Sequence, residues 1–176
     1  SLTATATDSA GNISSSSSAL SITVDATAPS APSSLTTAAT ATSDTTPTIT
    51  GSAEVGSTVE VFSGGSSLGT TTADGNGAFS FTSSTLSEGN HSITATATDA
   101  ASNTSDSSST LSITVDTTAP SAPTSLTTTS ATSDATPTIT GSAEAGSTLK
   151  LYSGTTLLGS ATADSNGDFS VTSSTL

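Results

Sequence analysis

The sequence predicts an all-β fold in which short strands pack as a sandwich. Val, Ile, Leu and Phe recur at alternate positions in short runs, and clusters of Gly, Asp, Asn and Pro separate these runs. The chain is rich in Ser and Thr, and only 3% of it is aromatic. A disordered, glycan-bearing stalk is the alternative for such a composition. The alternation favours strands, because low-complexity coil shows no periodicity.

The sequence repeats itself with a period of about ninety residues. SITATATD from Ser92 repeats SLTATATD from Ser1 at a shift of 91 (92 − 1), and PTITGSAEAGST from Pro137 repeats PTITGSAEVGST from Pro47 at 90 (137 − 47). SITVD occurs at 21–25 and again at 112–116. Such a period predicts tandem modules. Residues 1–25 are then the C-terminal part of one repeat, 26–116 a complete repeat and 117–176 the N-terminal part of a further one.

The complete repeat is predicted to contain seven strands, called A, B, C, C′, E, F and G. Their ranges are 33–37, 47–53, 57–63, 67–73, 78–83, 91–98 and 110–115. Seven strands in about ninety residues match the size of an immunoglobulin-like module. The fold class is therefore all-β, with immunoglobulin-like seven-stranded β-sandwich repeats in tandem. Alternation predicts these inward residues: Ile49, Val59, Val61, Leu68, Phe79, Phe81, Ile93, Ala95, Ala97, Leu111, Ile113 and Val115.

Charge and composition exclude several functions. The net charge is −13 with Lys150 as the single basic residue, which argues against nucleic acid and anionic membrane surfaces as partners. No apolar run reaches the length of a membrane-spanning helix. Cysteine is absent and His91 is the only histidine, so neither a thiolate metal site nor a hydrolytic triad can be assembled from the usual parts. We expect no enzyme and no catalytic residue.

The acidic residues gather at one end of the predicted sandwich. Tracing the strands places the B–C, C′–E and F–G loops at the end where the preceding linker arrives, which we call the incoming end. Acidic and amide side chains there are Glu54, Asp74, Asn76, Asp99 and Asn103, with Asp25 in the linker. Ca²⁺ accepts six to eight oxygens of this kind, so the pattern predicts Ca²⁺ at the joint between repeats. Each acid taken alone is also explained as a turn former.

Four segments resemble the bacterial Ig-like repeats of giant secreted adhesins, including the repeats-in-toxin and biofilm-associated types. They are SITATATDAASNTS (92–105), SITVDTTAPSAP (112–123), TSDTTPTITGSAEVGSTVEVF (42–62) and SLGTTTADGNGAFSFT (67–82). The resemblance implies an extracellular, cell-surface array of β-sandwich modules with Ca²⁺ at their joints. The implied ligands are Asp25, Asp74 and Asp99 with Asn103, then Asp116 and Asp164, and Asp8 with Asn12 in the first, partial copy.

Three functions are consistent with these observations. The first is a structural extender of a cell-surface adhesin, whose partners are neighbouring repeats of the same protein and which projects a distal adhesive domain. The second is a self-assembling extracellular filament, in which the front of one chain (117–176) pairs with the tail (1–25) of the next. The third is a carbohydrate-binding module, which the scarcity of Trp and Tyr disfavours.

Overall fold

A computed structural model describes residues 1–128 and 133–176. The chain divides into two compact units, Ser1–Thr117 (unit 1) and Thr118–Leu176 (unit 2). Unit 1 contains β1 (Ser33–Thr37), β2 (Ala41–Thr42), β3 (Thr48–Ser52), β4 (Thr58–Ser63), β5 (Ser66–Thr72), β6 (Ala78–Thr82), β7 (Gly89–Thr98) and β8 (Leu111–Val115). Unit 2 contains β9 (Thr124–Thr127), β10 (Thr138–Ser142), β11 (Thr148–Ser153), β12 (Thr156–Thr162) and β13 (Asp168–Thr172). The described residues form no helix that could cross a membrane.

Unit 1 is an immunoglobulin-like sandwich of two sheets, which confirms the predicted fold class. One sheet has the strand order β1-β3-β6 and the other β2-β8-β7-β4-β5. The seven predicted strands A to G correspond to β1, β3, β4, β5, β6, β7 and β8, with ends that differ by at most two residues. The sequence did not predict β2, which pairs parallel to β8 through Ala41 and Thr42. Two residues are too few to show an alternation.

The core of unit 1 lies between the two sheets and contains the residues predicted from alternation. Its fully buried members include Ile49, Val59, Val61, Phe79, Ile93, Ala95, Ile113 and Val115, and Leu68, Phe81 and Leu111 pack against them partly buried. Leu86 also lies in the core, 4% exposed, although it was not predicted because it follows the last residue of β6 outside any strand. The thin apolar stripe of each strand is thus sufficient to build one continuous core.

A glycine in β3 makes room for the largest core side chain. A Cβ placed at Gly51 would lie 2.7 Å from Cζ of Phe79, a contact that real Cβ atoms essentially never show. Gly51 pairs with Phe79 across the β3–β6 ladder, so the ring packs against bare backbone. The same arrangement recurs in unit 2, where a Cβ at Gly141 would lie 2.8 Å from Cζ of Phe169.

Residues 1–20 form a hairpin that lies outside both sheets of unit 1. Leu2 and Leu20 exchange two backbone hydrogen bonds of 2.7 and 2.8 Å, and Thr7 bridges to Ile13. The apolar side chains of this segment and of the following linker are exposed: Leu2, Ile13, Leu20, Ile22 and Val24. This segment therefore has the hydrogen bonding of a strand pair without a core to pack on.

Unit 2 has a smaller core. Its sheets are β13-β10-β9 and β11-β12, and the buried cluster consists of Leu149, Ala163, Phe169 and Val171. Strands β9 to β13 repeat β1, β3, β4, β5 and β6 in sequence and in pairing. The predicted three-part division of the chain at residues 25 and 116 stays a prediction.

Candidate functional site

Two loops at the incoming end of unit 1 are hydrogen-bonded to each other. The loop between β3 and β4 contains Glu54, and the loop between β5 and β6 contains Asp74. The amide of Ala53 donates to the carbonyl of Gly77 at 2.8 Å, and the amide of Gly56 donates to the carbonyl of Ala73 at 3.1 Å. These bonds place the two acidic loops side by side, in agreement with the predicted position of both at one end of the sandwich.

The loop between β7 and β8 is closed by Asp99. Its Oδ1 accepts the amides of Ala101 and Asn103, both at 2.8 Å, and its Oδ2 accepts the Nδ2 of Asn103 at 2.8 Å. The side-chain hydrogen bond from Asn103, aided by the backbone amides, holds the pKa of Asp99 below its usual value of 3.8. Ser102 in this turn has φ 70, where the first copy has Gly11 at φ 88. The turn geometry is therefore the same in both copies although the glycine is not.

The same turn forms in residues 8–12 without support from a sandwich. Asp8 Oδ1 accepts the amides of Ala10 and Asn12 at 2.9 and 2.8 Å, and Asp8 Oδ2 accepts Asn12 Nδ2 at 2.8 Å. The side chain of Asn12 lowers the pKa of Asp8 from 3.8. Because residues 1–20 lie outside both sheets, the pairing of an Asp with an Asn four positions later is a local property of this sequence.

The linker contacts the β7–β8 loop at its asparagine. Asn103 Nδ2 donates to the main-chain carbonyl of Asp25 at 3.2 Å, while Asp25 Oδ1 accepts the amide of Thr27 at 3.0 Å. One amide side chain thus joins the linker to Asp99. The structure brings together three of the predicted joint ligands, Asp25, Asp99 and Asn103.

Two of the remaining predicted ligands, Asp74 and Asp164, close turns of their own, and Asp116 does not. Asp74 Oδ1 accepts the amides of Asn76 and Ala78 at 2.8 and 2.9 Å, and Asp164 makes the same pair of bonds in unit 2. At the opposite, outgoing end of unit 1, the amide of Asp116 donates to the carbonyl of Thr42 at 2.9 Å. Across residues 1–128 and 133–176, no three His, Cys, Asp or Glu side chains group closely enough to hold a metal ion.

The donor atoms at the incoming end are of the type that Ca²⁺ prefers, although the turns already use part of them. Asp99 Oδ1 and Asp74 Oδ1 each accept two amides, which fills both lone pairs of each oxygen. Asp99 Oδ2 accepts one hydrogen bond and keeps one lone pair. The oxygens that could bind a cation are therefore the Oδ2 atoms of Asp74 and Asp99, the carbonyl and carboxylate of Asp25, and the amide Oδ1 of Asn103.

Two serines after the β7–β8 loop have a structural role that the sequence did not indicate. Ser105 and Ser108 are buried. Their Oγ atoms accept the amides of Ala97 and Ala95 at 2.9 and 3.0 Å, and their own amides donate back to the carbonyls of the same two alanines at 2.8 Å. The spacing of the serines could have indicated this role, because Ser14 and Ser17 in the first copy are the counterparts of Ser105 and Ser108. Their Oγ atoms accept the amides of Ala6 and Ala4 in the same way.

Comparison with known protein families gives two matches that together span most of the chain. Residues 28–117 match the model described as bacterial Ig-like domain, and residues 119–176 match the model described as bacterial Ig domain. Comparison with curated proteins found no match. Domains of these two kinds are typically non-catalytic and usually occur in surface or secreted proteins. The chain, with two such domains in tandem, belongs to the bacterial Ig-like domain family.

Proposed function

We propose that the chain is a non-catalytic extender segment of a bacterial cell-surface adhesin, in which tandem modules project a distal adhesive domain. The observation that carries the proposal is the contact between the linker and the β7–β8 loop, where Asn103 Nδ2 lies 3.2 Å from the carbonyl of Asp25. A module that binds its incoming linker restrains the angle at the joint. The Ala-Pro-Ser-Ala-Pro sequence that follows in residues 28–32 adds stiffness, because proline fixes φ.

A non-catalytic role agrees with the surroundings of the single histidine. His91 Nδ1 lies 3.0 Å from Ser63 Oγ, and His91 Nε2 lies 2.8 Å from the carbonyl of Ser87. Both ring nitrogens therefore have local partners, and the ring joins β7 to the end of β4. This pairing accounts for the histidine as a structural residue.

The proposal includes Ca²⁺ at the joint, bound by Asp25, Asp74 and Asp99 with Asn103 in support. The chemistry of the donors supports it, since these are carboxylate, carbonyl and amide oxygens. The charge supports it too, because the chain contains fourteen acidic residues and only one lysine. A divalent cation reduces the repulsion among the carboxylates. When bound, the ion would tie linker and loops together more firmly than the single hydrogen bond of Asn103 does.

Thermal unfolding with and without calcium tests the proposal. Because an ion that binds only the folded state stabilises it by mass action, the melting temperature of unit 1 is expected to rise with calcium concentration and to fall on addition of a chelator. Asp99→Asn should remove most of this dependence, while Asp44→Asn at the outgoing end should leave it intact. A melting temperature that does not depend on calcium in the unsubstituted chain would reject the calcium joint.

A further inference from the structure

Two loops of the structure contain an asparagine that is followed directly by a glycine. The chain contains five asparagines, and only Asn76 and Asn166 precede glycine. They lie in the β5–β6 loop of unit 1 and in the corresponding β12–β13 loop of unit 2. An asparagine of this kind is prone to deamidation, because a following glycine has no Cβ to hinder the attack of its amide nitrogen on the asparagine side chain.

The side chains of these two asparagines are free to react. Both residues are exposed, and neither side chain makes a hydrogen bond to the part of the chain that the structure describes. The other three asparagine side chains are each held by a hydrogen bond; they are Asn12, Asn90 and Asn103. The two asparagines that precede glycine are therefore also the two whose side chains can turn towards the main chain.

The fold requires the glycine at both positions. Gly77 and Gly167 have φ 78 and 83, in the left-handed region that favours glycine. A Cβ at Gly77 would lie 2.7 Å from the carbonyl oxygen of Ala53, and a Cβ at Gly167 would clash in the same way with the carbonyl oxygen of Ala143. The reactive dipeptide is therefore a consequence of how each loop packs beside its neighbour.

The folded turn holds the attacking nitrogen in an unreactive state. The amide of Gly77 donates to the carbonyl of Asp74 at 2.9 Å, and the amide of Gly167 donates to the carbonyl of Asp164 at 3.0 Å. Both glycines are buried. The amide must lose its proton to solvent before it attacks, so the hydrogen bond and the burial both oppose deamidation while the turn is closed.

The aspartate two residues before each asparagine keeps the turn closed. Asp74 Oδ1 accepts the amides of Asn76 and Ala78 at 2.8 and 2.9 Å, so it fixes the main chain on both sides of the reactive peptide bond. A loop held by a few hydrogen bonds opens at a lower free energy than the whole module unfolds. Because opening exposes the amide of Gly77 to water, the carboxylate of Asp74 controls how often the dipeptide becomes reactive.

We infer that Asn76 and Asn166 are sites of spontaneous deamidation, and that Asp74 and Asp164 are positioning residues that limit the reaction to the open turn. The glycine nitrogen gives its proton to solvent base and forms a bond to Cγ of the asparagine. The Cγ–Nδ2 bond breaks, and Nδ2 takes up a proton from solvent and leaves as ammonia. Water then opens the five-membered imide at one of its two carbonyls, which gives aspartate or isoaspartate.

The reaction changes the charge of the loop in which it occurs. Each event replaces a neutral amide by a carboxylate, so the net charge of −13 becomes more negative by one for each site that reacts. At Asn76 the new carboxylate arises two residues from Asp74, at the incoming end of unit 1. The inference needs neither calcium nor the extender role, so its failure would leave the proposed function standing.

Peptide mass spectrometry of the full 176-residue chain tests the inference. Cleavage after glutamate places Asn76 in fragment 61–88, Asn166 in fragment 145–176 and two asparagines that precede no glycine in fragment 89–144. After incubation in chelator at mildly alkaline pH, the exchange of amide for carboxyl should raise the mass of the first two fragments and leave the third unchanged. Urea should speed the reaction at Asn76 by about tenfold or more, because it opens the turn. A fragment 61–88 that keeps its mass in urea, or that changes equally fast without urea, would overturn the inference.

The variant Asp74→Ala tests the role of the turn. It removes two hydrogen bonds to a charged acceptor and should speed the reaction at Asn76 by about tenfold, while Asn166 in the same chain keeps its rate. Asp44→Ala is the matched control, because Asp44 Oδ1 also accepts an amide of its own loop, that of Thr46 at 2.8 Å. It should leave the rate at Asn76 unchanged. Equal rates in all three chains, or equal acceleration by both variants, would contradict the role assigned to Asp74.

Discussion

At the scale of single residues, the Asp99 and Asn103 pair has two functions at once. The aspartate accepts three hydrogen bonds within its own loop, which closes the turn. The asparagine uses its one amide nitrogen both for Asp99 and for the carbonyl of Asp25. The side chain of Asn103 therefore both helps to close the turn and contacts the linker. The interpretation of the loop acids as turn formers is thus compatible with their interpretation as residues of the joint.

Asn103→Ala is expected to raise the pKa of Asp99 towards 3.8, because the largest cause of its lowering is the Asn103 side chain. A carboxyl with a lowered folded-state pKa stabilises the fold above the unfolded value, and that contribution is lost as pH falls through the folded pKa. As the pH falls below about 4, the free energy of unfolding of the variant should therefore decrease less than that of the unsubstituted chain. An NMR pH titration of the Asp99 carboxyl measures the shift.

The carboxyl of Asp8 is the internal control for this titration. Asn12 lowers its pKa in a separate copy of the turn, so Asn103→Ala should leave the Asp8 titration unchanged. If Asn103→Ala leaves the pKa of Asp99 unchanged, the hydrogen bond from Asn103 is not what stabilises the carboxylate.

At the scale of elements, the segment that follows the β7–β8 loop is held by serine side chains in place of a regular ladder. Ala95 and Ala97 are two residues apart, while their partners Ser108 and Ser105 are three apart. The extra residue makes the segment bulge, and bulges leave ladder groups unpaired. The serine Oγ atoms bond the two alanine amides that the bulge would otherwise leave without acceptors.

Ser105→Ala and Ser108→Ala should each destabilise unit 1 by about 1–3 kcal/mol, the range for leaving a buried donor unsatisfied. Urea denaturation measures the free energy of unfolding. Ser107→Ala is the matched control, because Ser107 is exposed between them and surface substitutions usually change stability by less than about 0.5 kcal/mol. Equal effects at all three positions would show that the Oγ bonds contribute nothing specific.

The strands were predictable because each carries its own alternation and its own turn signals. Val59 and Val61, for example, alternate with polar residues inside one short run, so their inward direction needs no tertiary information. The strand β2 and the buried Ser105 and Ser108 depend on which segments lie next to them. A parallel pair such as Ala41 with Thr114 joins positions far apart in sequence and leaves no local pattern.

The candidate site was predictable in position and less so in geometry. Counting strands was enough to place Asp74 and Asp99 in loops at one end. The turn-former interpretation predicted that each carboxylate would bond amides of its own loop, but not which amides, because this depends on how tightly each turn closes. It also could not indicate that Asn103, and not an aspartate, would contact the linker.

At the scale of the whole molecule, the repeat supplies the successive modules that the proposed extender requires. The complete module has a linker contact at its incoming end, from Asn103 to the carbonyl of Asp25, and a core that includes residues of β7 and β8. Those strands come from the same repeat, residues 28–117, and their core residues Ile93 and Ile113 are buried. One repeat therefore contains both a closed core and a contact with the linker that precedes it.

We propose that the acids at the joint share a calcium ion, and an anomalous difference map from crystals grown in millimolar calcium would locate that ion. We expect a calcium peak within about 2.3–2.6 Å of oxygens from Asp99 and Asp25, with a carboxylate oxygen of Asp74 bound to the same ion. A map with no anomalous peak beside the oxygens of Asp25 and Asp99 would show that these acids share no calcium ion.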